Sequence, residues 1–140
     1  MKSQTIKSDI TEFRSSFWKI DYPSKYVVKK QGGVVSIVAE DGVGSLDISG
    51  YVKDTDVHLD DLKSLAKDCV PQNAEVRGAA VGNLSGLATE VVIQGRFWRM
   101  WVVSKERLML YITYNCLVED RNVETDSINL LISSIEWRPD

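Results

Sequence analysis

Histidine occurs once in the 140 residues, cysteine twice and proline three times. A single imidazole excludes most metal and acid–base constellations, which draw repeatedly on histidine. That residue, His58, lies in a polar stretch before a helical segment, and no Ser or Cys stands in a nucleophile-elbow setting. Cys69 and Cys116 lack any Cys-x-x-Cys or cysteine–histidine spacing and read as small packed thiols. No run reaches the roughly 18 apolar residues of a membrane span. The greasiest stretch, Phe97 to Leu117, is cut by Arg99, Lys105, Glu106 and Arg107, so no membrane insertion is expected. An excess of one charge is missing too: 17 Lys and Arg against 20 Asp and Glu leave a net charge of -3. Nucleic-acid binding rests on clustered cations, and Lys25, Lys29 and Lys30 make too small a patch to suggest such a partner.

Cofactor motifs are equally scarce. Gly42-Val43-Gly44 has neither the third glycine nor the following helix of a dinucleotide site. Asp54, Asp56, Asp60 and Asp61 lack the glycine and terminal glutamate of a calcium loop. No catalytic residue, metal ligand or cofactor is expected, and the chain does not read as an enzyme. Met1 to Thr11 is polar, without the apolar stretch of a secretory leader, and this predicts a cytoplasmic location.

What is present is the balance of a folded domain, with 44% apolar and 26% charged residues. A chain of this length buries roughly 68% of its unfolded surface and needs no disulfide or metal to hold a core. Residues 1–12 read as a polar arm and 13–140 as a single α+β domain.

Alternation with period two marks strands at Phe17–Tyr22, Tyr26–Val28, Val34–Ala39 and Leu46–Val52. Further strands fall near Leu87–Gln94, Arg96–Val103 and Arg107–Asn115. Leu59, Leu62, Leu65, Ala66 and Cys69 recur at helical spacing, with Asp60 and Asp61 in the opening turn and Pro71 beyond the end. A second helix is predicted over about 120–134, where Ile128, Leu131, Ile132 and Ile135 share a stripe. The sum is an antiparallel sheet of five to seven strands flanked by two main helices, an α/β/α sandwich.

Turn lengths then set the register. A two-residue turn at Gln94-Gly95 places Glu90 opposite Arg99 and Ala88 opposite Trp101, and a three-residue turn at Ser104–Glu106 places Arg99 opposite Tyr111. On that register Trp98, Met100, Val102, Leu108, Leu110 and Ile112 line the core face. Glu90, Arg99, Trp101, Met109 and Tyr111 share the other, mixed face. With Tyr51 from the earlier strand, Glu90, Arg99, Trp101 and Tyr111 form the candidate partner-binding surface, because Tyr, Trp and Arg are enriched at interfaces.

Three phrases carry a family resemblance. Phe17-Trp18-Lys19-Ile20-Asp21-Tyr22-Pro23 is similar to the aromatic–Tyr–Pro opening strand of the PsbP-like/DcrB-like superfamily, which also includes a Ran-binding nuclear import factor and type VI secretion effector chaperones. Leu84-Ser85-Gly86-Leu87-Ala88 resembles its small-residue approach to the central strands, and Ile132-Ser133-Ser134-Ile135-Glu136-Trp137 its closing helix and exit. The resemblance implies a helix-flanked sheet without common catalytic residues, used to bind other proteins. The Leu-Pro-x-Gly-Trp opening of the effector chaperones is absent, since Pro23 is followed by Ser24-Lys25-Tyr26.

The expected function is therefore a non-catalytic protein-binding module, most concretely an immunity-type protein that neutralises a cognate toxin. An adaptor for a secreted effector, which would need an apolar groove and a homodimer, is the alternative, and a small-ligand or lipid carrier is a third.

Overall fold

The structure, a computed structural model, describes residues 9–139. Short alternating segments joined by tight turns zip into hairpins. They are β1 (Ile10–Ser15), β2 (Trp18–Pro23), β3 (Tyr26–Gln31), β4 (Val34–Ala39) and β5 (Gly44–Val52). Helix α1 (Leu59–Cys69) follows, then β6 (Arg77–Val81), β7 (Leu84–Ile93), β8 (Arg96–Lys105) and β9 (Leu108–Leu117). Helix α2 (Thr125–Ser133) and the short β10 (Glu136–Trp137) complete the described chain. Strands β3 to β9 form one seven-stranded antiparallel sheet in the order β3-β4-β5-β9-β8-β7-β6, while β1, β2 and β10 form a small sheet in the order β1-β2-β10. The α+β class, the strand number and the two flanking helices agree with the sequence. Strand β1 begins at Ile10, inside the segment read as a polar arm, and residues 1–8 lie outside the described residues.

Helix α1 starts where expected. The His58 N–H donates to Asp61 Oδ2 at 2.8 Å and Lys53 pairs with Asp61 at 2.9 Å, so the acidic first turn closes on itself. Helix α2 starts five residues later than the predicted 120, at Thr125. Strand β9 runs on to Leu117 and a 3-10 turn occupies Val118–Asp120, so the helix opens only at Glu124, whose carboxylate accepts from Tyr114 Oη at 2.6 Å.

The outermost phrases of the family resemblance meet in space. Trp18 pairs with Trp137 and Lys19 with Glu136. Ser134 Oγ accepts from the Asp21 N–H at 3.0 Å and donates to the Asp21 carbonyl at 3.1 Å. These residues tie the small sheet and the end of α2 together.

One register differs from the reading of the sequence. The β7–β8 pairing is as expected, with Glu90 opposite Arg99 and Ala88 opposite Trp101. The β8–β9 hairpin closes at Lys105↔Leu108 through the two-residue turn Glu106-Arg107, with Glu106 at φ 56°. Arg99 therefore faces Tyr114, not Tyr111, and Trp101 faces Ile112. Primed two-residue turns normally advertise themselves with Asn or Gly, and here Glu106 takes the left-handed position instead. A shift by an odd number of residues turns every β9 side chain over.

The main core face thus combines Trp101 and Val103 with Leu108, Leu110, Ile112 and Tyr114, roofed by Trp18 and Ile20 of β2 and by Ile128, Leu131 and Ile132 of α2. On the opposite face α1 packs Leu62 and Ala66 against Val102, with Leu87, Met109 and Tyr111 alongside. Trp98, read as core, is only partly buried, and so is Leu65 of the α1 stripe.

Candidate functional site

Strand β6 enters the sheet through the Gly82-Asn83 turn. Gly82 has φ +57°, and a Cβ there would strike the Ile135 carbonyl, so the tip of this hairpin is jammed against the end of α2. Asn83 locks it in place: its Oδ1 accepts from the Trp137 N–H at 2.7 Å. Between β6 and α2 lies an open cleft of about 490 Å³. Its walls are Arg77 and the small residues Gly78–Ala80 on one side and Asn129, Ile132 and Ser133 on the other. Arg99 and Trp101 also line it.

Arg99 dominates the electrostatics of the cleft. Its guanidinium sits 4.7 Å from the centre of the Trp101 ring, a cation–π stack. The Arg99 side chain is only 15% exposed. Its Nε lies 3.6 Å from Glu90 Oε2, too long for a hydrogen bond, and is buried without a hydrogen-bond partner among the described residues. Burial holds the Arg99 pKa below the ordinary arginine value, with the Glu90 carboxylate opposing and Arg77 reinforcing that shift. Arginine keeps its proton in such settings. The cleft therefore holds a poorly hydrated cation, partly neutralised by one half-exposed carboxylate and adjoined by a second cation. A carboxylate is the group that this arrangement can recognise, because a guanidinium offers it paired donors.

Of the five residues singled out from the sequence, Arg99 and Trp101 line this cleft, and Glu90 stands opposite Arg99 on β7. Tyr51 and Tyr111 stand on the opposite face of the sheet. Trp101 is 5% exposed and belongs to the core cluster, so it supports Arg99 from below. Tyr111 is half-buried beside α1, and burial followed by the neighbouring Cys69 pushes its pKa up to about 12. Tyr51 is exposed. Arg77 escaped the sequence reading because β6 was not recognised, and Asn129 and Ser133, on the predicted second helix, meet the cleft only through tertiary packing. The Gly82-Asn83 pair before Leu84 is the hairpin signal that would have located β6.

A second, open groove of about 630 Å³ runs between the C-terminal half of α1, the 70–76 segment and Leu87 of β7. Ala66, Val70, Pro71 and Val76 make it largely apolar, and Lys63 and Lys67 stand at its rim. Among the described residues no group of three or more His, Cys, Asp or Glu could hold a metal ion. No described helix is long and apolar enough to cross a membrane.

No family model matches the sequence, and no curated protein does. Solved structures share its fold. A crystal structure from Bacteroides thetaiotaomicron superposes with a TM-score of 0.75 at 14% identity, over 94% of this chain and 50% of that one. This chain thus spans about half the length of that protein. The solution structure of cyanobacterial PsbP (CyanoP) from Synechocystis sp. PCC 6803 gives a TM-score of 0.64 at 11% identity, covering 93% of both chains. LpqN, involved in cell envelope biogenesis of Mycobacterium tuberculosis, gives 0.59 at 14% identity, over 96% of this chain and 95% of LpqN.

The fold resembles that of cyanobacterial PsbP and of LpqN. The comparisons with CyanoP and LpqN overturn the cytoplasmic location expected from the polar N-terminus. The polarity of residues 1–11 does not fix a location.

Proposed function

We propose that this chain is a non-catalytic module that binds another protein, with the Arg77–Arg99 cleft as the centre of its contact surface. The observation that carries the reading is Arg99, a nearly desolvated cation with an unused donor, stacked on a rigid aromatic and bordering an open cleft. A fixed arginine of this kind is the sort of residue that dominates binding energy at interfaces. In its most concrete form the module is an immunity-type protein that occludes a cognate toxin, with the net charge of -3 assisting the approach of a basic partner. An adaptor that holds a secreted effector would need an apolar groove, such as the one beside α1, rather than this cleft.

The test is capture of the partner from the native cell, followed by calorimetry with the wild type and Arg99→Gln. The expected result is saturable binding that weakens at least about tenfold, or ~1.4 kcal/mol, in the variant. Failure to find any saturable protein partner would sink the reading, and full affinity in Arg99→Gln would move the surface elsewhere.

The groove beside α1 favours a second reading, a carrier of a small apolar ligand, since pockets for such ligands fall in its size range. An apolar fluorescent probe should then bind the wild type and be excluded by Leu87→Trp.

A further inference from the structure

The two edges of the seven-stranded sheet are built differently. Edge strand β3 carries Lys29 and Lys30, both exposed, a common protection against pairing with a foreign strand. Edge strand β6 reads Arg-Gly-Ala-Ala-Val, without proline, and its pairing with β7 runs unbroken from Arg77↔Ala88 to Val81↔Leu84, without a bulge. Gly78 and Ala80 are exposed, and a Cβ added at Gly78 would meet nothing within 4 Å. No further strand pairs with the outer side of β6 in this sheet.

The direction of its free hydrogen-bonding groups follows from the hairpin. A two-residue turn makes the closing pair, Val81 and Leu84, a hydrogen-bonded one, and such pairs recur at every second residue. Ala79 and Arg77 then bond inward to Gly86 and Ala88. The N–H and C=O of Gly78 and Ala80 point outward, where the sheet ends. Arg77, Ala79 and Val81 put their side chains on the cleft face. In an added strand, the residue opposite Arg77 forms a non-hydrogen-bonded pair, the kind in which side chains stand closest.

Resting on the protein-binding reading above, we propose that β6 accepts an extended, antiparallel segment of the partner, whose acidic side chain opposite Arg77 enters the cleft and is bound by Arg77 and Arg99. Backbone bonds from Gly78 and Ala80 supply affinity without regard to sequence, and the arginines select for the carboxylate. Charge complementarity names the occupant: an acidic side chain on an extended peptide, set against a cleft whose two charged wall residues are arginines.

The probe is an acetylated, amidated octapeptide of alternating valine and threonine with one central glutamate, compared with its glutamine counterpart by fluorescence polarisation. The glutamate peptide should bind the wild type at least about tenfold more tightly than the glutamine peptide, a difference that should shrink as salt is raised. Arg99→Gln should erase that preference. Ala80→Pro removes an outward N–H while leaving the bonds to β7 in place, and it should weaken both peptides. A thermal melt checks the fold of each variant. Amide exchange in the wild type gives an independent readout: the peptide should slow Gly78 and Ala80 and leave the β3 amides unchanged.

Equal binding of the two peptides would overturn the carboxylate assignment. Undiminished binding to a folded Ala80→Pro, with Gly78 and Ala80 exchanging as before, would overturn strand addition. No binding of either peptide overturns the whole inference. The wider protein-binding reading is judged separately, by the captured partner and its response to Arg99→Gln.

Discussion

Trp101→Ala should unfold the protein more readily by about 3–5 kcal/mol, the range for removing a buried aromatic. The magnitude follows from its position. At 5% exposure the indole is almost wholly withdrawn from water. An aromatic of this size buries roughly 200 Å², worth about 5 kcal/mol at ~25 cal/mol/Å². That figure is an upper bound, because the unfolded chain already hides part of its apolar surface. The stack beneath Arg99 disappears as well, a further loss of about 0.5–2 kcal/mol. Relaxation around the hole returns some of this, which brings the expectation back into the 3–5 range. Trp101→Phe keeps a ring under the guanidinium and should recover more than half of the loss. The assay is urea denaturation followed by circular dichroism, with slopes compared to confirm that both variants unfold as the parent does. A loss below about 1 kcal/mol in Trp101→Ala would refute the placement of Trp101 in the core. The consequence for function is direct: weaker partner binding by Trp101→Ala would report damage to the platform, so Arg99→Gln is the informative probe.

Helix α2 offers a paired control, since Leu131 is 2% exposed and Leu130 is 73% exposed. Leu131→Ala should cost about 2–5 kcal/mol and Leu130→Ala less than about 0.5 in the same urea melts, and equal losses would mean that the helix is rotated. Gly82→Ala combines a left-handed backbone with a collision against the Ile135 carbonyl; it should lower stability by about 1–3 kcal/mol and speed amide exchange in β6, and a neutral effect would contradict the tight tip. Tyr111, whose pKa is raised to about 12 by burial and Cys69, stays protonated in the fold after unfolded tyrosine begins to ionise. Its contribution is complete below about pH 10 and fades as pH rises through 12. Tyr111→Phe should therefore flatten the alkaline loss of stability over that window, and an unchanged slope would argue against its burial.

The legibility of this fold in its sequence tracked the strength of local signals. Leu62 and Ala66 at helical spacing, followed by Pro71, located α1 closely, and Gln94-Gly95 gave the β7–β8 register correctly. The β8–β9 turn failed because Glu106 adopts a left-handed backbone that residue identity does not announce. That single miss carried Tyr111 to the wrong side of Arg99 and put Trp98, rather than Trp101, in the main core. Strand β6 was invisible for another reason: Gly78, Ala79 and Ala80 have no alternation of polarity to read. The candidate site was half legible in consequence, with Glu90, Arg99 and Trp101 placed together by a correct hairpin. Arg77, Asn129 and Ser133 reach the cleft only through tertiary packing of β6 against α2.

The pairing of Trp18 with Trp137 bears on how the molecule is assembled in time. Most of the large sheet consists of neighbouring hairpins whose partners are close in sequence. Such contacts close quickly, because little loop entropy is lost. The small sheet is the opposite case: β2 waits for β10 across nearly the whole described chain. Until residues 134–137 have left the ribosome, Ile20 has no cover from α2 and its exit, and Asp21 has no serine to bond. The central hairpins should thus form a template early, with the apolar side of β2 exposed in the interval. Closure of Trp18 on Trp137 would be the last step, and the exposed β2 segment is where a nascent chain of this protein is most open to aggregation or chaperone capture.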